Sequence, residues 1–468
     1  MIDQPYLLTD GQIHDFIVNG FITIKTDLPI GFHEEVYNQI TRIFEREGNP
    51  GNNLLPRIPV LNQVFNDPKV IGALTGLLGS SYYMQPHRHC HYNPPGSKGQ
   101  NMHQDGGKRW SHKSRRLLVF YYPQDTPEEL GPTGIVPGSH YYNTSLGADV
   151  NSEFPLCGQA GEVTFANYDL WHRAMPNHTS RMRYMMKFLY LRMCETEKAT
   201  WLHKESDWKR VSAKSNTQFY NPDHEQMYQS IWKWHLGEYD QNVERLYCRD
   251  SVESLIADFE IETEAECLTN AYALSRFGAP VSPDLANLLA NESGHGQRYA
   301  FYGLTTLGEP AVPQLIDHVE HTNESVRSSA IETLGDIGPP ASESVVSIRQ
   351  QLQDPSAQVR SKVVESLGTI VTESNHELTE TIRDLTVALS DENDRVRQNA
   401  TIALCRIAPH CDQPIMALQR ALVDGNRYVR GHAVHALRRI NTTSAKEALI
   451  DHLVTARWCS LTSSESTH

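Results

Sequence analysis

The stretch Met102-His103-Gln104-Asp105-Gly106, with Leu170-Trp171-His172-Arg173 far downstream, decides how the first half of this chain must fold. In an extended segment His103 and Asp105 point to the same side, because strand side chains alternate faces. Two neutral imidazoles and one carboxylate are the ligand set of the facial non-haem iron site, which keeps three metal positions open. The carboxylate also offsets part of a metal's charge. Alone, His-x-Asp fits a polar loop with local hydrogen bonds equally well. Metal binding by His103, Asp105 and His172 requires a fold that carries two distant stretches to one place.

The flanking sequence supplies such a fold. Tyr82-Tyr83-Met84-Gln85 leads into His87-Arg88-His89-Cys90-His91-Tyr92 and the turn Asn93-Pro94-Pro95-Gly96. Arg116 to Tyr122, Gly161 to Phe165 and Tyr184 to Tyr190 read as further strands, Ile135 to His140 reads as a short strand breaking into a turn, and Gly/Pro turns separate them. Many short strands of this kind indicate a double-sheet jelly roll, whose barrel gathers distant strands at one mouth. His87, His89 and His91 alternate and form a rival metal set. Three such residues spread over about 13 Å of strand, too far for all to reach one ion. They are expected to line the barrel near the site.

Ahead of the strands lie helices. Thr9 with Gln12 is a capping-box signal, followed by the stripe Ile13, Phe16, Ile17 and the stop Asn19-Gly20. Phe21 to Ile24 is strand-like, and helices are expected near 32–46 and after Pro68. The 468 residues exceed one ordinary core. The net charge of −14 is uneven: residues 1–250 carry 27 acids and 25 bases, residues 251–468 carry 29 and 17. An acidic second half argues against nucleic acid or an anionic membrane as its partner. Eight scattered cysteines form no Cys-x-x-Cys pair and suit neither zinc nor a disulfide framework. No signal peptide or membrane span is read, and a cytoplasmic location is expected.

The pieces come in a family's order. Leu8-Thr9 with Gly20-Phe21, Pro95-Gly96 before His103-Gln104-Asp105, Pro137-Gly138-Ser139-His140 after Gly131, Gly161-Glu162-Val163, and His172, Asn177 and Arg183 follow one another. Across roughly 7–193 the chain resembles the phytanoyl-CoA dioxygenase family of Fe(II)/2-oxoglutarate oxygenases. The resemblance implies a double-stranded β-helix that uses Fe(II), 2-oxoglutarate and O2, with His103, Asp105 and His172 as iron ligands. It also implies that Arg183, eleven residues after His172, binds the far carboxylate of 2-oxoglutarate. A guanidinium fork matches a carboxylate on independent grounds. Arg181 shares the strand face of Arg183, so parity does not separate them; the family spacing does. Phe120 suits either co-substrate contact or core packing, and His140 suits a turn or wall. Many relatives carry Ser or Thr two residues after the second histidine, where this chain has Ala174. Related halogenases lack the ligand carboxylate, so Asp105 favours oxygen chemistry.

Residues 194–265 form a transition in which Trp201, Trp208, Trp232 and Trp234 fit either a domain junction or a substrate entrance. A repeat follows. Val326-Arg327, Val359-Arg360, Val396-Arg397 and Val429-Arg430 each open a small-residue helix, with a weaker copy at Gly296-Gln297. Acidic turns precede them at Asp354-Pro355, Asp391-Glu392 and Asp424-Gly425. The pattern resembles HEAT-like repeats of the bilin-lyase type over roughly 265–456, an α-solenoid. Each Val should pack into a neighbouring repeat, and each Arg should bond an adjacent acidic turn. The expected domains are 1–250, a jelly roll with core 7–193 and a helical extension, and 265–456. The expected function is oxidation of a small-molecule substrate, with the repeats serving recruitment of a protein partner or site access. The rival is an inactive oxygenase-like scaffold or a repeat chaperone.

Overall fold

A computed structural model of the chain describes residues 6–106, 110–144, 150–215, 217–239, 248–260, 263–291 and 294–455. It divides into two compact units: 1–192 with 196–237, and 238–468 with 193–195.

The first unit begins with α1 (Asp10–Asn19), whose Thr9–Gln12 capping box is formed as the sequence predicts. Gly20 stops it at φ 80°, where a Cβ would lie 2.5 Å from His140 Nδ1, so this left-handed, crowded position needs glycine. After β1 (Phe21–Lys25) and α2 (Ile30–Glu47) come a helix at Pro68–Leu78 and the strands. These are β2 (Tyr82–Asn93), β3 (Arg116–Tyr121), β4 (Thr133–Ile135), β5 (Phe154–Pro155), β6 (Glu162–Asn167), β7 (His172–Ala174) and β8 (Arg183–Arg192). One antiparallel sheet has the order β1-β6-β3-β8-β2 and the other β5-β4-β7. Their inner faces share one core, with Leu118, Phe120, Ala166, Met185 and Leu189 from the larger sheet and Ile135 from the smaller. This is a jelly roll preceded by helices.

β8 is buried along its whole length because it lies between β3 and β2 and is covered on both faces. Its even-numbered side chains meet the helices: Tyr184 packs against Tyr37 edge-on and against Phe44 at a tilt, and Phe188 lies 4.3 Å from Phe65, ring to ring. Its odd-numbered side chains, including Met185 and Leu189, face the core. That two-sided burial explains the unbroken apolar run in the sequence. The short strand expected to break into a turn over 135–140 begins two residues earlier, at Thr133–Ile135, and the turn follows as a helical turn at Ser139–Tyr141. Pro137 and Gly138 end the pairing after Val136. Trp201, Trp208, Trp232 and Trp234 are buried within this unit. Trp208 stacks on His14, the Trp201 indole donates to Asp10, and Arg192 lies over Trp234.

The second unit is a helical repeat region. The helices Glu324–Ile337, Ala357–Ile370, Asp394–Ile407 and Arg427–Ile440 pack in succession, each followed by a shorter partner helix. Val326, Val359, Val396 and Val429 are buried as knobs. The arginines form a ladder: Arg327 donates to Asp354 (2.7 and 3.1 Å), Arg360 to Asp391 (2.8 and 3.0 Å) and Arg397 to Asp424 (2.8 and 3.1 Å). Each aspartate also accepts from the backbone N–H of the next helix's N-cap: Ser356, Asn393 and Asn426. Among the described residues no helix is long and apolar enough to cross a membrane.

Candidate metal and co-substrate site

Backbone pairing builds the site. His103 and His172 exchange both N–H···O bonds (3.0 and 2.9 Å) in an isolated antiparallel bridge at the start of β7. Directly opposed residues bring their rings to 4.6 Å. Gln104 pins the loop by donating to the carbonyls of Tyr142 and Asp169. At Gly106 a Cβ would fall 1.7 Å from Asp169 Oδ1, so a larger residue there would displace the Asp169 side chain. Asp105 thereby faces both imidazoles.

The ligand atoms of His103, Asp105 and His172 all lie within 4.8 Å of one another. Nδ1 of His103 meets Asn101 O and Nδ1 of His172 meets Leu170 O, both at 2.9 Å. A carbonyl can only accept, so each Nδ1 carries the proton and each Nε2 keeps its lone pair. Those Nε2 atoms lie 3.9 and 3.8 Å from the Asp105 carboxylate, beyond hydrogen-bond range and surrounding a common space. Burial, reinforced by Lys187, lowers the His172 pKa to about 4, which leaves a neutral donor at neutral pH. Burial works to raise the Asp105 pKa, but Lys187, His172 and His103 together hold it at about 2. An ionised carboxylate and two lone-pair nitrogens are what a divalent metal requires.

Arg183 opens β8 and is 1 % exposed. Its Nε donates to Gly131 O at 2.8 Å, and its buried Nη2 has no partner. Among the described residues it forms no ion pair. A buried, half-satisfied guanidinium is costly, and a carboxylate ligand would complete it. Arg181 is exposed and lies outside β8. The two residues that share parity in sequence are therefore separated by where the strand begins.

Phe120 serves the core and also lies 6.0 Å from His172, ring to ring. His89 and His91 point into the barrel, paired with Lys187 and Met185 of β8, and their Nε2 atoms meet at 2.8 Å. Burial, then the charges of Lys187 and His89, hold His91 neutral with a pKa of about 2. His140 is a buried wall residue beside Gly20. Lys187 is the site residue that sequence reasoning missed: its ammonium contacts Asp105 Oδ2, and its side chain is 3 % exposed. The available signal was parity, since Lys187 stands four residues after Arg183 on one strand.

A jelly roll holding a His-Asp-His cluster, with a buried, open guanidinium at the start of β8, defines an oxygenase-like domain. Residues 33–185 match the phytanoyl-CoA dioxygenase (PhyH) family, and residues 282–368 and 382–459 match HEAT repeats. The chain thus carries a phytanoyl-CoA dioxygenase family domain followed by HEAT repeats. Among solved structures it is similar to the non-haem α-ketoglutarate-dependent carbocyclase SnoK from nogalamycin biosynthesis, at 18 % identity, with 44 % of this chain and 91 % of that chain covered and a TM-score of 0.34. EctD from S. alaskensis with bound Fe shows 17 % identity, 41 % and 79 % coverage and a TM-score of 0.35. HygX from Streptomyces hygroscopicus with nickel and 2-oxoglutarate bound shows 17 %, 42 %, 89 % and 0.33 in the same order. No curated protein matches the chain.

Proposed function

We propose that the chain is an Fe(II)/2-oxoglutarate-dependent dioxygenase that hydroxylates a small-molecule metabolite with release of succinate and CO2. The observation that carries this reading is the convergence of His103, Asp105 and His172 within 4.8 Å, inside the barrel that also buries the unpartnered Arg183 Nη2. The three side chains would hold Fe(II), with each histidine locked in the ligating tautomer by its own backbone carbonyl. Arg183 would bind the far carboxylate of 2-oxoglutarate and so orient it. Iron, when bound, supplies O2 activation for attack on an unactivated C–H bond. Phe120, with Leu118, Leu170 and Met185, walls the interior with apolar surface, which limits water at the site. The protein would work in the cytoplasm, and its acidic repeats would recruit a protein partner.

A second reading has one observation behind it. The Lys187–Asp105 contact is also what an inactive scaffold would use to neutralise its carboxylate. One experiment separates the two: succinate release by the full chain with Fe(II) and 2-oxoglutarate, screened against a metabolite library. Substrate-dependent succinate supports the enzyme. Absence of succinate with every substrate, and of slow uncoupled turnover, overturns it.

A further inference from the structure

Lys187 extends inward from β8, where its register partners are His89 on β2 and Phe120 on β3. Its side chain is buried, 3 % exposed. Among the described residues Asp105 is the one carboxylate it pairs with. A buried lysine without that partner would be expensive to keep charged. Asp105 is also the sole anionic member of the His-Asp-His cluster. A cation held at the cluster and the Lys187 ammonium must therefore share one carboxylate.

We propose that Lys187 is a positioning residue that competes for Asp105 and sets divalent-metal affinity below what the three ligands alone would give. The inference rests on the metal-binding reading of the cluster. Its ammonium occupies Oδ2 and so leaves Oδ1, on the His103 side, as the oxygen free for a metal. That arrangement favours one-oxygen ligation and keeps further metal positions open for a chelating co-substrate. It also sets a unit positive charge within a few ångströms of a dication. Like charges that close repel by far more than a factor of ten in affinity demands, even at an effective dielectric of about 20. A dianionic co-substrate would relieve the excess positive charge, so Lys187 favours metal held together with 2-oxoglutarate over metal held alone.

A purely structural lysine predicts the opposite sign. If Lys187 served only to hold Asp105 in place, its removal would loosen the cluster and weaken metal binding. The test is competitive titration of the chelator-stripped full chain with Co(II), followed by visible absorption, for wild type, Lys187→Met, Lys187→Gln and Lys187→Arg. Both neutral variants should bind Co(II) at least tenfold more tightly, and the arginine variant should stay near wild type. The glutamine variant keeps a polar group in the strand, so the comparison survives if methionine impairs folding. Unchanged or weaker Co(II) binding by the neutral variants, with a wild type that binds, overturns the role of Lys187 alone. Failure of all four proteins to take up Co(II) overturns the metal-binding reading and this inference with it.

Discussion

Each triad histidine gives one ring nitrogen to a backbone carbonyl two residues earlier, and this fixes which nitrogen is left for a ligand. His103→Ala, Asp105→Ala and His172→Ala should each abolish iron-dependent succinate formation while far-UV circular dichroism stays near wild type. Near-normal turnover in any of the three would remove that residue from the ligand set. Arg183 and Arg181 give a sharper contrast. With Arg183 in its proposed role on the far carboxylate, Arg183→Ala should weaken 2-oxoglutarate binding by about 2–4 kcal/mol, roughly thirty- to a thousandfold. Arg181 is exposed, and its replacement by Ala should change the 2-oxoglutarate KM little. Equal effects would discard the assignment. The meeting of His103, Asp105 and His172 was legible because chemistry restricts the residue types of such a set. Lys187 was not, because its burial depends on β8 lying between β2 and β3, which no local pattern announces.

Elements were legible in proportion to their length and to the clarity of their ends. α1 reads directly, since Thr9, Gln12 and Gly20 mark both termini. β2, β3 and β8 read as strands because alternation or unbroken apolar runs persist over six residues or more. β5 and β7 have two and three residues and exist only through pairing with distant segments, β4 for both and His103 for β7 as well. The arginine ladder was legible for a different reason: repetition displays one contact several times. Arg360→Ala leaves the partly buried Asp391 without its two guanidinium bonds and should lower stability by about 2–3 kcal/mol in a denaturant titration. Burial works to raise the pKa of Asp354, Asp391 and Asp424, but the paired arginines bring each below its usual value. The unfolded chain therefore binds these protons first. The ladder's contribution is whole above about pH 4 and is lost as pH falls through the lowered folded-state values. Acid titration by circular dichroism should show this loss in wild type and a smaller one in Asp391→Asn. An equal loss in both would mean the ladder does not govern acid stability.

At the scale of the whole molecule, two units carry two kinds of stability. The repeats derive theirs from nearest neighbours, whereas the barrel closes a single core. The aromatic segment after β8 belongs to the barrel's unit: Trp201 bonds Asp10, Trp208 stacks on His14, and Trp232 lies within 6 Å of both tryptophans. A chain ending at Gly237 keeps this layer and every candidate ligand. It should be folded and monodisperse, and should bind 2-oxoglutarate in the presence of an inert divalent metal. A chain ending at Met193 strips the layer, uncovers α1 and should aggregate, because a large apolar surface is then exposed. Residues 265–468 should give a helical protein whose melting is indifferent to iron. Size-exclusion chromatography and calorimetric titration with 2-oxoglutarate decide among these outcomes. If the chain ending at Gly237 is folded but does not bind 2-oxoglutarate, the repeats complete the site, and the barrel cannot be the whole catalytic unit.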